Sequence, residues 1–547
     1  MKRISWILRT EEFWVILLSL ILLAFSYGPL VYNYLTPPPP GKVFLGSFGY
    51  PPDFWGKIIA FQEGRLGHWL FIHKITTTIP ISGSIPTIEY VILGHLSRFF
   101  PIDPIIFFHL CRLGLSLVFL LVSYKLISRV FTEKISRLIA FTLALFSTGI
   151  GSQAANFMEV WTPFSVFQRS AYYPHYLFAF IFLLLTINFL SQALEERNLK
   201  KLFWAGLFGF LTSLIHAPNT VSLYLSLVFY TLLIIYLNWR QKISFQRLGY
   251  KLIYLLIFFL VSILPIVYLY FITQSYPWTL LVKGDVKFDL GRIVPKMMFI
   301  LSIGPTLFLS LYGAWLILKK KNDLSLMLAP WSITYIIGFN LVNKISSFNA
   351  QRFLQTPFFV ILAILSTLAL DDLSLRIVKR VKIAQENILV VFTLIILLAS
   401  FSVFKKSLLI NIDNFRWADN YTYYSSPENL AAIRWLEKNT KEKDIVLSDK
   451  INGELIAALA GNFPYIDIHI TNLSDEQFNQ LEGTVRDFYQ QVKTAKEAKK
   501  FLLDNQVSYV FWADEEKQMA GKNILNYSFL TKVYENQKVI IFKTIIK

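Results

Sequence analysis

Residues Thr36 to Trp69 read TPPPPGKVFLGSFGYPPDFWGKIIAFQEGRLGHW. An apolar run over about 13–34 precedes them, and ~20 apolar residues suffice to cross a bilayer. The chain thus leaves a first span through four prolines, Pro37 to Pro40, and does not enter a second until about Pro104. Consecutive prolines favour extended polyproline II, a stiff spacer. Asp53 then stands where it can cap a helix. Phe54, Ile58 and Phe61 share one helical face and Gly64 supplies a stop, which predicts an amphipathic helix lying on the membrane surface. The Thr76–Pro86 stretch separates it from a second amphipathic helix, Thr87 to Phe99. So long a structured loop with an early carboxylate points to chemistry at the membrane surface rather than passage through it.

The rest of the chain fits that start. Hydrophobic residues make up 54% of 547 and mean hydropathy is +0.49. Apolar runs near 13–34, 105–124, 138–153, 171–193, 201–216, 218–237, 252–273, 293–318, 325–342, 353–370 and 387–404 predict a polytopic α-helical membrane protein of about eleven transmembrane helices. The net charge of +18 does not indicate nucleic acid, because of where it lies. From Lys405 onward 19 basic residues balance 19 acidic ones; residues 1–404 hold 34 basic and 16 acidic. Of those 34, 21 sit in alternate connections, such as Arg129, Lys134 and Arg137, or Lys319 to Lys321. This positive-inside pattern predicts a cytoplasmic N-terminus and, with eleven spans, an outer tail, in a multi-pass protein of the plasma (inner) membrane. The first span is too long for a removable signal peptide and reads as an anchor. Cys111 is the only cysteine, so no intrachain disulfide forms.

Two domains are expected: a transmembrane domain over 1–404, with the loop 35–104, and an extracytoplasmic α/β domain over 405–547. In the tail, a helix begins after Ser425-Ser-Pro427, Asp444 to Ser448 reads as a strand, Gly453 to Leu459 as a helix and Tyr465 to His469 as a second strand. Helices over about 475–491 and 494–505, a strand Val507 to Trp512 and a terminal hairpin follow. The alternation predicts a small, mainly parallel sheet.

Several short stretches, in this order, resemble the GT-C superfamily of integral-membrane glycosyltransferases, and within it an uncharacterised bacterial branch. They are Asp53-Phe-Trp, Glu63-Gly-Arg-Leu-Gly-His-Trp69, Leu93-Gly-His-Leu-Ser-Arg98, Tyr173-Pro-His175, Leu214-Ile-His216, Gln351-Arg-Phe-Leu354 and Asn429-Leu-Ala-Ala-Ile-Arg-Trp-Leu436. The resemblance implies transfer, with inversion, of a sugar from a polyprenyl-phosphate-linked donor to an extracytoplasmic glycan, lipid or protein acceptor.

The resemblance also assigns roles. Transfer from a lipid phosphate needs a base for the acceptor hydroxyl proton, which a carboxylate can supply. By spacing alone Asp53 is a helix cap; the resemblance makes it the base. Glu159, a solvated loop carboxylate by context, is implied as a second acidic residue that assists the base or binds a divalent metal, Mg or Mn. Glu63 and Glu89 fit the polar faces of surface helices. The leaving phosphate calls for cations, and a guanidinium bonds phosphate oxygens in pairs. Arg352, at the outer edge of a late span, is the first candidate, with Lys344 and Arg169 beside it. His175 and His216 end predicted spans, where a polar side chain is costly enough to signal function. Two stretches depart from the superfamily pattern: Phe71-Ile-His73-Lys74 is basic where an acidic pair is expected, and Asp467-Ile-His469 lacks a Gly-His-Trp-like ending. A transporter or flippase, the main alternative, needs charges and broken helices at mid-membrane, and Arg112 is the main such charge. A non-catalytic subunit of an envelope glycan assembly system is the other.

Overall fold

The computed structural model describes residues 10–74, 77, 83–151, 165–241, 245–275, 278–279, 282, 296–320, 322–338, 352, 355–413, 423–468, 474–521 and 525–545. The chain forms two units. The first comprises Met1–Pro29, Leu110–Phe271 and Asp285–Asn411; the second comprises Leu30–His109, Ile272–Gly284 and Ile412–Lys547. The first outer loop therefore groups with the tail, and the units do not follow a single boundary at residue 404.

The first unit is a helical bundle. The span expected at 325–342 falls on two shorter helices, Asp323–Leu328 and Trp331–Ile337, and among the described residues seven helices are long and apolar enough to cross a membrane. Two of these, Pro174–Glu196 and Phe358–Val378, have 72% and 78% of their most apolar stretch buried, against 22–44% for the other five, so they form the interior. The expected spans at 138–153 and 201–216 are the shorter helices Lys134–Phe146 and Leu199–Ile215. The span expected at 293–318 breaks between Lys296–Ile303 and Pro305–Ile317. Gly304 makes the break: its φ is +77°, and a Cβ there would lie 2.5 Å from the Thr148 carbonyl oxygen. Only glycine meets both conditions without strain.

The basic connections share one end of this bundle. Arg137 bonds Glu11 (2.6 Å), Ser136 bonds Asp371 (2.9 Å), and Arg129 bonds Asn188, Ser191 and Glu195. Lys320 reaches the Val130 carbonyl, and Lys251 pairs with Asp323 at 2.6 Å. Arg112 is not a free charge in the span. Its guanidinium donates to the carbonyls of Ala171 and Tyr172 and lies over the Tyr27 ring.

In the second unit the proline run ends in a turn rather than a rod. Lys42 N–H bonds the Pro39 carbonyl at 3.0 Å, and Gly41 has φ +72°, the Pro-Gly signature of a type II turn. Strand β1 (Val43–Phe44) then pairs antiparallel with β2 (Tyr424–Ser425). The helix Pro51–Leu66 follows, and it is packed inside the unit rather than laid on its surface. Phe54, Trp55, Ile58, Ile59, Phe61, Gln62 and Glu63 are all buried, because the helix packs between Ile88–Ser97 and the tail turn Ile456–Ala460. Gly64 does not stop it; Gly67, at φ +99°, does. Gly64 and Gly94 are instead where two helices cross: a Cβ on Gly94 would lie 1.9 Å from the Phe61 carbonyl oxygen. The second loop helix does keep an exposed apolar face at Ile92, Leu96 and Phe99.

The tail holds a five-stranded sheet in the order β4 (Phe463–Pro464), β3 (Ile445–Leu447), β5 (Val507–Trp512), β7 (Ile540–Thr544), β6 (Leu530–Glu535). β4, β3 and β5 run parallel, and β7 and β6 add antiparallel, so the sheet is mixed rather than mainly parallel. Phe478, Val485, Phe488, Tyr489 and Leu502 from two helices cover it. The helices Pro427–Asn439, Asp475–Tyr489 and Ala495–Asp504 start at Ser426, Ser474 and Thr494, whose side chains accept from backbone N–H groups. The helix Asp514–Ala520 was not expected from the sequence.

Candidate active site

Asp53 lies in the first turn of Pro51–Leu66. The N-cap is Tyr50, and no side chain caps the helix, so Asp53 is not the cap its spacing suggests. Its carboxylate is exposed and, so close to the N-terminus, sits where the helix dipole favours negative charge.

Along the same helix, Glu63 and the segment after it build a second cluster. The Lys74 ammonium, fully buried, lies 2.6 Å from Glu63 Oε1 and 3.0 Å from Glu442 Oε1, and donates to the Gly461 carbonyl at 2.7 Å. His68 Nδ1 is 2.8 Å from Glu63 Oε2, and its Nε2 is 3.3 Å from Glu442 Oε2. Ligand atoms of Glu63, His68 and Glu442 lie within 4.8 Å of one another, as a metal site requires. Lys74 already occupies the centre of that charge, however. A divalent cation there would face an ammonium at about 3 Å, a strong repulsion in a low-dielectric interior. The set fits the ammonium and not Mg or Mn. Glu63 and Glu89 are buried rather than on polar helix faces, and burial pushes the Glu89 carboxyl up to about 7, with Lys57 opposing.

Glu454 is the carboxyl that sequence reading missed. It lies in the helix Lys450–Leu455, is wholly buried, and is pushed well above the usual carboxylate range, first by burial and then by the charge of Asp53.

In the first unit, four of the expected residues come together around one tyrosine. Arg169, 1% exposed, ends the short helix Val166–Arg169. Its guanidinium stacks 4.1 Å from the Tyr176 ring and 4.8 Å from Tyr172. The Tyr176 hydroxyl donates to Gln355 Oε1 at 3.1 Å, and Arg352 donates to the same oxygen at 2.9 Å. His175 lies 4.0 Å from Tyr176, and His216 5.2 Å from it, between ring centroids. His216 is buried at the end of the helix Leu199–Ile215. The bonds of Arg112 to Ala171 and Tyr172 fix the segment that carries Arg169. Tyr172, Tyr176 and Gln355 were not foreseen, although the aromatic run Tyr172-Tyr-Pro-His-Tyr176 flanks a quoted motif. Glu159, Lys344 and His469 lie outside the described residues.

No family model matches the sequence, and no curated protein is similar to it. Solved structures are. The archaeal oligosaccharyltransferase AglB from Archaeoglobus fulgidus, in complex with an inhibitory peptide and a dolichol-phosphate, matches with a TM-score of 0.53 and 14% identity, over 93% of this chain and 70% of that one. The same enzyme complexed with zinc and sulfate gives 0.53 and 15%, over 97% and 73%. ArnT from Cupriavidus metallidurans, bound to undecaprenyl phosphate, gives 0.49 and 11%, over 97% of both chains. At these identities the likeness is one of fold: the chain shares the fold of the archaeal oligosaccharyltransferase AglB.

Proposed function

We propose that the protein transfers a sugar from a polyprenyl-phosphate-linked donor to an acceptor hydroxyl on a glycan, lipid or protein, at the extracytoplasmic face of the plasma (inner) membrane. The observation that carries the reading is the pair of arginines on Tyr176. Arg169 and Arg352 put two permanent positive charges in one aromatic cluster, and Gln355 holds the second in place. A phosphate arriving there gains charge-assisted hydrogen bonds without needing a metal for neutralisation. The AglB structure, of the same fold, holds a dolichol-phosphate.

The reaction is a single displacement. Asp53 takes the proton of the acceptor hydroxyl, and the freed oxygen attacks the anomeric carbon. The bond from that carbon to the phosphate oxygen breaks, its electron pair stays on the phosphate, and the sugar inverts. Asp53 suits the base because its carboxylate is exposed and held on a buried, rigid helix. The basic end of the bundle faces the cytoplasm in this reading. Glu159, in the second outer loop, is proposed to assist Asp53. Lys344 is proposed as a further phosphate contact, and His175 and His216 as partners of donor oxygens.

The test of the phosphate site is lipid binding. Undecaprenyl phosphate and undecaprenol are titrated against the detergent-purified protein by native mass spectrometry. The phosphate is expected to bind in preference to the alcohol. Arg169→Gln and Arg352→Gln should each weaken phosphate binding about 10–100-fold, the worth of one charged hydrogen-bonding partner. Equal binding of both lipids, or unchanged binding by both variants, would overturn the assignment.

A further inference from the structure

Two helices of the bundle meet at a one-residue corner beside the Tyr176 cluster. His216 closes the helix Leu199–Ile215, its N–H bonding the Thr212 carbonyl at 2.9 Å. The helix Ala217–Gln241 starts at the next residue, with Pro218 in its first turn, where a missing N–H costs nothing. Its 25 residues direct the positive end of their dipole at the corner. Asn219 sits in that first turn, its N–H on the His216 carbonyl at 3.0 Å. The residue is fully buried, and its amide lies beside the His216 ring, too far or too oblique for a hydrogen bond. Among the described residues neither polar atom of the Asn219 amide has a hydrogen-bonding partner, and neither does His216 Nδ1. The His216 ring lies 5.2 Å from the Tyr176 ring and 6.1 Å from that of His175. Tyr176 carries the stacked Arg169 at 4.1 Å, and its hydroxyl is 3.4 Å from Arg352 Nη1. The unpartnered amide and the start of a long helix therefore share one corner with the two arginines.

We propose that Asn219 is a third ligand of the donor's phosphate: its amide NH2 donates to a phosphate oxygen, and its carbonyl oxygen accepts from His216 Nδ1–H. The proposal rests on the phosphate lying at the Arg169–Arg352 pair. It adds to their charge a neutral contact that is fixed in direction. A buried amide without a partner lowers the stability of the fold, and such a group calls for a partner that completes it. The chemistry of the corner selects that partner. An apolar ligand would leave the amide unsatisfied. A cation would meet two guanidinium groups and the positive end of a helix. An anion with several acceptor oxygens meets neither obstacle, and the start of a helix favours it directly. Asn219 is suited to the contact because it has both a donor and an acceptor. The acceptor can anchor on His216, and the donor is then left for the ligand.

Undecaprenyl phosphate and undecaprenol are titrated against the detergent-purified full chain by native mass spectrometry, and melting temperatures are read with and without the lipid phosphate. Asn219→Leu, close to the amide in size, is expected to weaken undecaprenyl phosphate binding about 10–100-fold and to leave undecaprenol binding unchanged. Without lipid it should melt no lower than the unaltered protein, because it removes an unsatisfied amide. With undecaprenyl phosphate its gain in melting temperature should be smaller. Asn219→Asp keeps the shape but sets a carboxylate against the phosphate, so it should weaken binding at least as much. It decides the matter if Asn219→Leu does not accumulate. Unchanged phosphate-lipid binding in either variant, or equal losses for the phosphate and the alcohol, would overturn the proposal. The arginine variants separate the two claims. If Arg352→Gln weakens undecaprenyl phosphate binding and the Asn219 variants do not, only the amide contact fails. If Arg169→Gln and Arg352→Gln also leave it unchanged, the phosphate reading fails and the amide contact with it.

Discussion

Lys74 shows how a single residue alters what the fold can hold. The sequence marks it only as a departure, basic where an acidic pair is expected, and gives no hint of its partners, because Glu442 and Gly461 lie hundreds of residues away. In three dimensions it neutralises Glu63 and Glu442 from inside. Removing one member of a buried ionic set strands the others, at a cost of about 3–5 kcal/mol. Lys74→Met should therefore lower the melting temperature of the detergent-purified protein, and adding Glu63→Gln should restore part of it; a melting curve unchanged by Lys74→Met would refute the cluster's structural role. Glu89 gives a second residue-level test. Burial raises its carboxyl from 4.5 to about 7, so the folded state favours the protonated form. The associated stability is complete below about pH 4.5 and is lost as pH rises through 7. This contribution, on the order of 3 kcal/mol, should lower the melting temperature between pH 5 and 8, and Glu89→Gln should flatten that slope.

At the scale of elements, local signals were legible and long-range ones were not. The tail helices announce themselves through Ser426, Ser474 and Thr494, because a cap and the N–H groups it satisfies lie within one turn. Asp514–Ala520 escaped notice because it has an acidic start with no apolar period, and Glu516 makes its cap by reaching back to the Ala513 N–H. The sequence shows the Pro51–Leu66 helix but not its burial. An apolar stripe looks the same whether lipid or protein covers it, and its cover comes from the second loop helix, where Gly94 meets Phe61, and from the tail. Gly64 looks like a stop in the sequence for the same reason: its close neighbour, Val91, is remote in sequence. Gly94→Ala should force the two loop helices apart, since its Cβ would lie 1.9 Å from backbone oxygen. Such overpacking costs roughly 1–3 kcal/mol or more, measurable as a lower melting temperature, whereas Gly114→Ala, which meets nothing within 4 Å, should leave it unchanged.

At the scale of the whole molecule, the sequence's strongest message was the alternation of basic and neutral connections, and the bundle gathers the basic ones at one end. The order of short motifs likewise pointed to a GT-C fold, which the AglB comparison bears out at 14–15% identity. What the chain order concealed was the grouping of the first loop with the tail, since no pattern in either predicts the β1–β2 pairing that joins them. The central claim is that this fold performs sugar transfer with Asp53 as base. The most direct measurement is radiolabelled sugar transfer from the polyprenyl-phosphate fraction by Asp53→Asn, alongside its binding of undecaprenyl phosphate. The account predicts transfer reduced at least about 100-fold, the lower end of what a general base contributes, with phosphate-lipid binding and membrane levels unchanged. Transfer by Asp53→Asn at the rate of the unaltered protein would contradict it.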